Sequence, residues 1–525
     1  KTAYAISACL VGSEMCIRDR PKRTNHTGIG TIERKNNGQS KHLGNLNFDN
    51  TYSRLPETFF QAIAPKPVSN PRLIRLNKGL AKELGMDPCI VEERDLDIFA
   101  GNAAPSESQQ IAMVYAGHQF GNWVPRLGDG RAVLIGEVLD EKGKRRDIQL
   151  KGSGPTMFSR MGDGRATVGP VIREYLVSEG MAALRIPTTR SLAIVTTGEL
   201  VARERMEPGA VLTRVASSHI RVGTFQYFYG QKDEDAIRQL ADYAINRHYP
   251  KALKDSNPYL GFLSGVVERT AELISSWMLV GFIHGVMNTD NSSIAGETID
   301  YGPCAFMDEF HANKVFSSID TLGRYAYNQQ PSIGLWNLSR FAETLLCIID
   351  HNKEQSTAKA RGILETYWPT FEKNFHSGLC QKIGVEHNEE NLSLVFRLLD
   401  HMSETRADFT NTFRNLPKLI TAPDIFNGET EEKLRSHRAF LDWSIEWKTK
   451  ITEQKESLDT TFRNMNKINP LFIPRNHQIQ RVIDFAIDAE DYQPLEEMLT
   501  AITDPFTENP KFCLLYTSDA ADEED

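Results

Sequence analysis

The chain lacks any uninterrupted apolar run of the roughly 18 residues that would mark a membrane-spanning helix, so no span and no membrane partner are expected. It also lacks a cysteine framework. Of seven cysteines, Cys9, Cys16 and Cys513 lie towards the chain ends, while Cys89, Cys304, Cys347 and Cys380 are widely separated without a C-x-x-C pair. This pattern argues against a zinc module or a disulfide scaffold and fits a reducing compartment; the lack of a convincing secretory signal and the metagenomic, bacterial character of the chain ends make bacterial cytoplasm the expected setting. Positive charge is in deficit. Sixty Lys and Arg against 69 Asp and Glu leave a net charge of −9, which argues against general nucleic-acid binding. No repeat of solenoid period occurs, although GDGRA is found twice, at 128–132 and 162–166.

What is present is an ordinary globular composition, 40% hydrophobic and 25% charged, with enough apolar residues for an ample core. The two ends read as foreign to it. KTAYAISACLVGSEMCIRDR (1–20) and CLLYTSDAADEED (513–525) resemble translated adapter sequence, and residues 511–525 are assigned to that tail. Residues 3–12 are interrupted by Cys and Ser and lack the basic lead of a secretory signal. Residues 21–45 are polar and Gly/Asn-rich, a flexible lead-in.

In the body, Leu73, Ile74, Leu76, Leu80 and Leu84 recur at helical spacing and predict a helix over about 73–85. RAVLIGEVLD (131–140) and RRDIQLKG (145–152) flank a Glu-Lys-Gly-Lys turn and predict an antiparallel hairpin. Pro170 is placed as the first residue of a helix running on through VIREYLVSEGMAALRI. SLAIVTTGE (191–199) reads as a buried strand ending in a turn, and VLTRVA (211–216) as another strand. Beyond 226 the pattern turns helical. Residues 268–286 are apolar nearly all round, which predicts a buried central helix, and amphipathic helices follow between about 336 and 505.

The residues that carry chemistry are spread over about 170 positions. Gly128 and Gly130 flank Asp129 ahead of Arg131; glycines admit close approach of a phosphate, and arginine offers paired donors to its oxygens. Lys151 ends an apolar strand and is followed by Gly152, while Glu174 on the next helix is the carboxylate that could hold it. Gly162, Asp163 and Gly164 form a second glycine turn, in which Asp163 could orient an arginine. Arg214 and Arg221, seven residues apart around a strand-to-helix turn, could clamp a triphosphate. Asp290, Asn291 and Asp300 are hard oxygen donors of the kind that hold Mg²⁺ or Mn²⁺ on substrate phosphates, with Glu297–Ile299 expected as a strand returning Asp300 to Asn291. Asp290, beside that pair, could accept a proton from an attacking hydroxyl. His284 reads as a buried structural histidine, His118 and His219 as too isolated to ligate a metal, and Cys304 as a bystander near the site.

Taken with FDNTYSRLPETFF (48–60), YAGHQFGNWVPRLGDGRA (115–132), IQLKGSGPTMFSRMGDGRA (148–166), HGVMNTDNSSIAGETIDYGP (284–303) and GRYAYNQQPSIGLWNLSRFAE (323–343), these motifs are similar to the selenoprotein O family of protein adenylyltransferases, the bacterial YdiU proteins. The resemblance spans roughly 46–510. It implies an α+β, protein-kinase-like bilobal fold: a β-rich N-lobe over 46–225, a helical C-lobe over 226–345 and a helical C-terminal region over 346–510. Asp300-Tyr301-Gly302 would take the place of the kinase Asp-Phe-Gly, and Lys151 with Glu174 that of the kinase ion pair. The kinase His-Arg-Asp base is missing, and Asp290 directly precedes Asn291 instead. ATP would bind flipped relative to kinases, so that AMP is transferred. The resemblance then assigns nucleotide binding to Gly128, Gly130, Arg131, Lys151, Asp163, Gly164, Arg214 and Arg221, metal binding to Asn291 and Asp300, and proton acceptance to Asp290.

The expected activity is metal-dependent transfer of AMP from ATP to Ser, Thr or Tyr hydroxyls of proteins by a monomer, with UMP transfer from UTP and Mn²⁺ as a variant. A phosphoryl-transferring kinase and a non-catalytic nucleotide-binding scaffold are the alternatives.

Overall fold

The central strands between residues 60 and 216 are buried almost continuously, as befits a sheet covered on both faces, and that sheet positions everything that follows. The computed structural model describes residues 42–515 except Ile90 and 424–428. The adapter-like stretch 1–20, most of the lead-in and residues 516–525 therefore lie outside the described residues. The strands are β1 (Phe60–Ala62), β2 (Arg72–Leu76), β3 (Ile111–Met113), β4 (Gly117–Gln119), β5 (Asn122–Val124), β6 (Ala132–Leu139), β7 (Arg145–Lys151), β8 (Ala166–Thr167), β9 (Arg190–Ala202), β10 (Met206–Ala216), β11 (Phe282–Ile283) and β12 (Ala305–Phe306). The main antiparallel sheet runs β1-β3-β6-β7-β10-β9-β2, with β8 on β10. β4–β5 and β11–β12 are separate hairpin-like pairs.

Period-two alternation decides which side chains face the site. On β7, Ile148 and Leu150 join a core with Val211 and Val215 of β10, covered by α1 (Lys78–Glu83) and α2 (Glu93–Ala100). The intervening Asp147, Gln149 and Lys151 fall on the opposite face. Arg214 pairs with Gln149 across the β7–β10 ladder, so its guanidinium is delivered to that same face. The predicted hairpin over 131–152 is β6–β7. Its turn is held by Asp140, whose carboxylate accepts from the Lys142 and Lys144 amides.

After β8, α3 (Val168–Ala183) crosses the sheet face, and α4 (Val222–Gln231), α5 (Glu234–His248), α6 (Pro258–Leu279) and α7 (Gln330–Ile349) follow. Ten further helices are described between Lys353 and Ile502. The architecture is thus mixed α+β, an N-terminal antiparallel sheet followed by a largely helical C-terminal region. Among the described residues no helix is long and apolar enough to cross a membrane.

Several local expectations are corrected. Residues 72–76 are a sheet-edge strand, not the start of a helix. Leu73 pairs with Val195, and Asn77 then caps α1 by accepting from the Leu80 amide. Pro170 is the third residue of α3, where it still falls among the first-turn positions whose amides have no helical partner. The β9 strand continues past residue 199 to Ala202. The central helix starts earlier than 268 and stops at Leu279. Asn257 caps it, and Gly281, at φ +71°, turns the chain into β11. Glu297–Ile299 is not a strand; Thr298 makes one isolated bridge to Thr188. The β11–β12 pair performs the expected closure, bringing together the two ends of the loop that carries Asp290, Asn291 and Asp300. The expected boundary at 511 falls inside a short 3-10 turn, Pro510–Leu515, where Phe512 packs edge-on to Phe472.

Candidate active site

The eleven residues assigned above to nucleotide, metal or proton, together with Glu174, line one cavity of about 610 Å³ between the sheet face, α3 and the β11–β12 loop. Seven Lys and Arg residues meet five Asp and Glu residues in its wall. In a chain of net charge −9, this cation excess marks a place for an anion.

Its centre is a buried charge network. The Lys151 ammonium donates to Glu174 Oε2 at 2.5 Å and lies 3.6 Å from Asp300. Arg214, 2% exposed, donates through Nε to the other Glu174 oxygen and through Nη2 to Asp300 Oδ1 at 2.5 Å. Arg221, the residue preceding α4, donates to Asp300 Oδ2 and to the Asp290 carbonyl, and its guanidinium lies 4.7 Å from the centre of the Tyr115 ring. Asp300 therefore faces three cations, and burial notwithstanding, Arg221, Arg214 and Lys151 hold its carboxyl well below the usual range. Its backbone is left-handed, φ +63°. Burial, reinforced by Arg214, pulls the Lys151 ammonium down to about 8. Burial dominates Glu174 too, but Arg214 and Lys151 overcome it and the net shift is downward.

The glycine turns wall the cavity. Gly128, at φ +133°, passes the Phe158 ring so closely that a Cβ would sit 2.5 Å from it, and one on Gly130 would sit 2.7 Å from the Phe158 carbonyl. Asp129 does not face a ligand. Its carboxylate accepts from the Met113 amide and Gln149, pinning the first turn to β3 and β7. In the second turn Gly164, at φ +66°, lies directly against the Gly154 backbone. Asp163 is clamped by Arg203 at 2.7 and 3.1 Å and by the Arg165 amide, so it latches the turn to the β9–β10 connection. Arg131 is exposed at the rim.

On the opposite wall, Asn291 donates through Nδ2 to the Val286 carbonyl, an orientation in which its side-chain oxygen is the atom that could ligate a cation. Asp290 is nearly enclosed. Oδ2 accepts from Gln119 at 3.0 Å, Oδ1 is shielded without a hydrogen-bond partner, and burial raises its pKa. The hard donor set of Asn291 and Asp300 in one wall fits a divalent cation of the Mg²⁺ or Mn²⁺ kind. His284 is buried and bonds to the Ile299 carbonyl at 2.9 Å, a structural role. Cys304 is buried, with its thiol pushed up to about 12. His118 bonds to Gln226, and His219 to Asp147.

Sequence reasoning missed Tyr115, Gln119, Phe158 and Arg203, which also line the cavity. The glycines at 117 and 121 around Gln119 were the available signal, since two glycines four residues apart mark a tight turn.

A cation-rich, glycine-walled cavity with a carboxylate and amide cluster, set beside an antiparallel sheet, is that of a nucleotide-dependent transferase. A family model for protein adenylyltransferase SelO matches residues 42–503. The chain is 53% identical over 467 residues to the protein nucleotidyltransferase YdiU of Bradyrhizobium diazoefficiens, covering 89% of this chain and 95% of that protein. It is 53% identical over 470 residues to the YdiU protein of Rhodopseudomonas palustris, with the same coverage of both chains. The chain belongs to the SelO/YdiU family and is a protein nucleotidyltransferase.

Proposed function

We propose that this enzyme transfers AMP from ATP to Ser, Thr or Tyr hydroxyls of proteins and releases pyrophosphate. The observation that carries the reading is the convergence of the two glycine turns, the Lys151–Glu174 pair, Arg214, Arg221 and the Asp290–Asn291–Asp300 loop on one cavity. Gly128, Gly130 and Gly164 let the two turns close tightly on Phe158 and the Gly154 backbone and so shape the wall that would face a polyphosphate, with Asp163 holding the second turn in place. Lys151, Arg131, Arg214 and Arg221 supply positive charge to it, and Glu174 orients Lys151 and Arg214. Asn291 and Asp300 would hold a divalent cation, which when bound neutralises phosphate charge.

The acceptor hydroxyl forms a bond to the α-phosphorus, the bond from that phosphorus to the bridging α–β oxygen breaks, and pyrophosphate leaves with the electron pair. Asp290 takes the hydroxyl proton, a task its burial favours by making the carboxylate more basic. The chemistry is positioning plus electrostatic stabilisation. A two-lobed, kinase-like organisation with boundaries near 225 and 345, a monomeric state and a bacterial cytoplasmic setting belong to the same reading. UMP transfer from UTP with Mn²⁺ is its close variant, since the cavity contacts named here recognise phosphates and not a base.

The test is labelling of protein with α-³²P-ATP or γ-³²P-ATP in Mg²⁺ or Mn²⁺, beside Asp290→Ala and Asp300→Ala. Label from the α-phosphate alone, absent in both variants, is the expected result. Label from the γ-phosphate would replace this reading with a kinase, and ATP binding without label would favour a scaffold.

A further inference from the structure

The segment Gly117–Val124 is the part of the long 115–132 motif that the nucleotide site leaves unexplained. It forms the β4–β5 pair, closed by Phe120 and Gly121, both in the left-handed region at φ +51° and +83°. This hairpin stands outside the main sheet. It lies on the turn Thr289–Asn291, from which it is separated by about 170 residues of chain, and three consecutive residues bond to three consecutive residues. The His118 amide donates to Thr289 Oγ1 at 2.7 Å, Gln119 Nε2 to Asp290 Oδ2 at 3.0 Å, and the Phe120 amide to Asn288 Oδ1 at 3.0 Å. Gln226 on α4 ties both sides together, through the His118 ring at 3.0 Å and Thr289 Oγ1 at 2.6 Å. Tyr325 donates to the same Asn288 oxygen at 2.7 Å.

Only the Gln119 contact reaches a carboxylate. Gly117 has no side chain because Asp290 Oδ1 lies where one would project, so the carboxylate rests flat on the β4 backbone with that oxygen shielded. Oδ2 is left as the oxygen with a second lone pair to offer, and its orientation is set by the Gln119 amide. Gln119 also lines the cavity itself.

We infer that Gln119 is a positioning residue for the transfer step: it aims Asp290 Oδ2 at the acceptor hydroxyl, with the β4–β5 hairpin as its rigid mount. This rests on the reading of Asp290 as proton acceptor. Because Gln119 acts through Asp290, its loss is expected to act on turnover and to spare nucleotide affinity.

The experiment compares the full chain with Gln119→Ala, Gln119→Glu, Trp123→Ala and Asp290→Ala, measuring ATP affinity by calorimetry and single-turnover AMP transfer from α-³²P-ATP. Gln119→Ala is expected to slow transfer about ten- to a hundredfold, the effect of losing one hydrogen bond to a charged group, with ATP affinity within about twofold of the parent. Gln119→Glu keeps the shape but places a second carboxylate against Asp290, and is expected to be slower still. Trp123 lies at the exposed end of the same hairpin with its ring 5.0 Å from that of His118, so Trp123→Ala loosens the mount at a distance from Asp290 and is expected to slow transfer less than Gln119→Ala, with ATP affinity kept. Transfer unchanged in Gln119→Glu while Asp290→Ala is inactive would overturn the role of Gln119 and leave that of Asp290 standing. An active Asp290→Ala would overturn both. Parallel losses of affinity and rate in Gln119→Ala, matched by Trp123→Ala, would show that the hairpin only supports the fold.

Discussion

Replacing Glu174 with Gln removes one negative charge and keeps the shape. In the parent, Glu174 is 2% exposed, with Lys151 on one oxygen and Arg214 on the other, and Asp300 is the other carboxylate facing these cations. A charge pair at about 4 Å in a medium of effective dielectric 20 is worth roughly 4 kcal/mol, equivalent to about three orders of magnitude in a protonation equilibrium. Lys151 starts from about 8, already lowered by burial and Arg214. Without Glu174 it falls to roughly 5 or 6 and is neutral at pH 7. The signs therefore separate the two proteins. Parent ATP affinity is expected to decline as pH rises through about 8, where the ammonium is lost. In Glu174→Gln the same decline occurs about two to three pH units lower, so affinity at pH 7.5 drops about ten- to a hundredfold and recovers on acidification. Calorimetric titration of ATP between pH 5 and 9, with folding followed by circular dichroism, reads both curves. Superimposable curves would refute the assignment of Lys151 as a phosphate contact held charged by Glu174.

Gly164→Ala places a Cβ directly on the Gly154 backbone at a φ of +66°, so the second turn cannot close. ATP affinity measured by calorimetry is expected to fall at least about tenfold with little change in helical content. Arg203→Ala and Asp163→Ala each unlatch that turn, but their ion pair is exposed, so each costs about 1 kcal/mol or less and raises the KM for ATP severalfold at most. A double-mutant cycle should find the two effects far from additive. Lys382 is buried beside the Phe409 and Phe413 rings, and burial lowers its ammonium to about 7. Because the unfolded chain keeps that proton up to about 10.5, stability gains from this group as pH rises from 7 towards 10. Lys382→Met should abolish that slope in chemical denaturation and be the more stable protein below pH 7.

Much of the site was legible because its chemistry is concentrated in short motifs whose local structure is self-determined. β6–β7 is a hairpin with a polar turn, so Lys151 at its end could be placed from alternation alone. Glu174 sits about one turn and a half into α3, the next helix along the chain. Asp290, Asn291 and Asp300 were recognisable as a donor set, but the device that gathers them was not: β11 and β12 are two residues each, too short to leave a periodic signal. Leu73, Ile74 and Leu76 satisfy a helical and an extended pattern equally, and pairing with β9, more than 110 residues away, decides between them. Gly281 is a lone glycine in an apolar run. Its positive φ, which ends the helix, follows from tertiary packing against Phe409.

The roles of the arginines show the limit most clearly. Arg214 and Arg221 read from the sequence as two free clamps for a triphosphate, yet both guanidiniums are committed to Asp300. In the framework of the proposed reaction, Asp300 must share its oxygens between these arginines and the metal–nucleotide complex. A carboxylate has lone pairs enough to accept both sets of partners. Were phosphate oxygens to bind, the arginines would exchange part of their bonding to Asp300 for them, which would free an Asp300 oxygen to hold a divalent cation. The incoming phosphates thus meet the cation excess of the empty cavity, and Asp300 keeps a cationic partner in either arrangement. Asp300→Asn tests this exchange against simple metal ligation. It should weaken binding of Mg²⁺-free ATP little, or even tighten it by releasing the two arginines, while sharply reducing transfer with metal present. Equal loss of both would mean that Asp300 is needed to hold the arginines in place, and the exchange would fall.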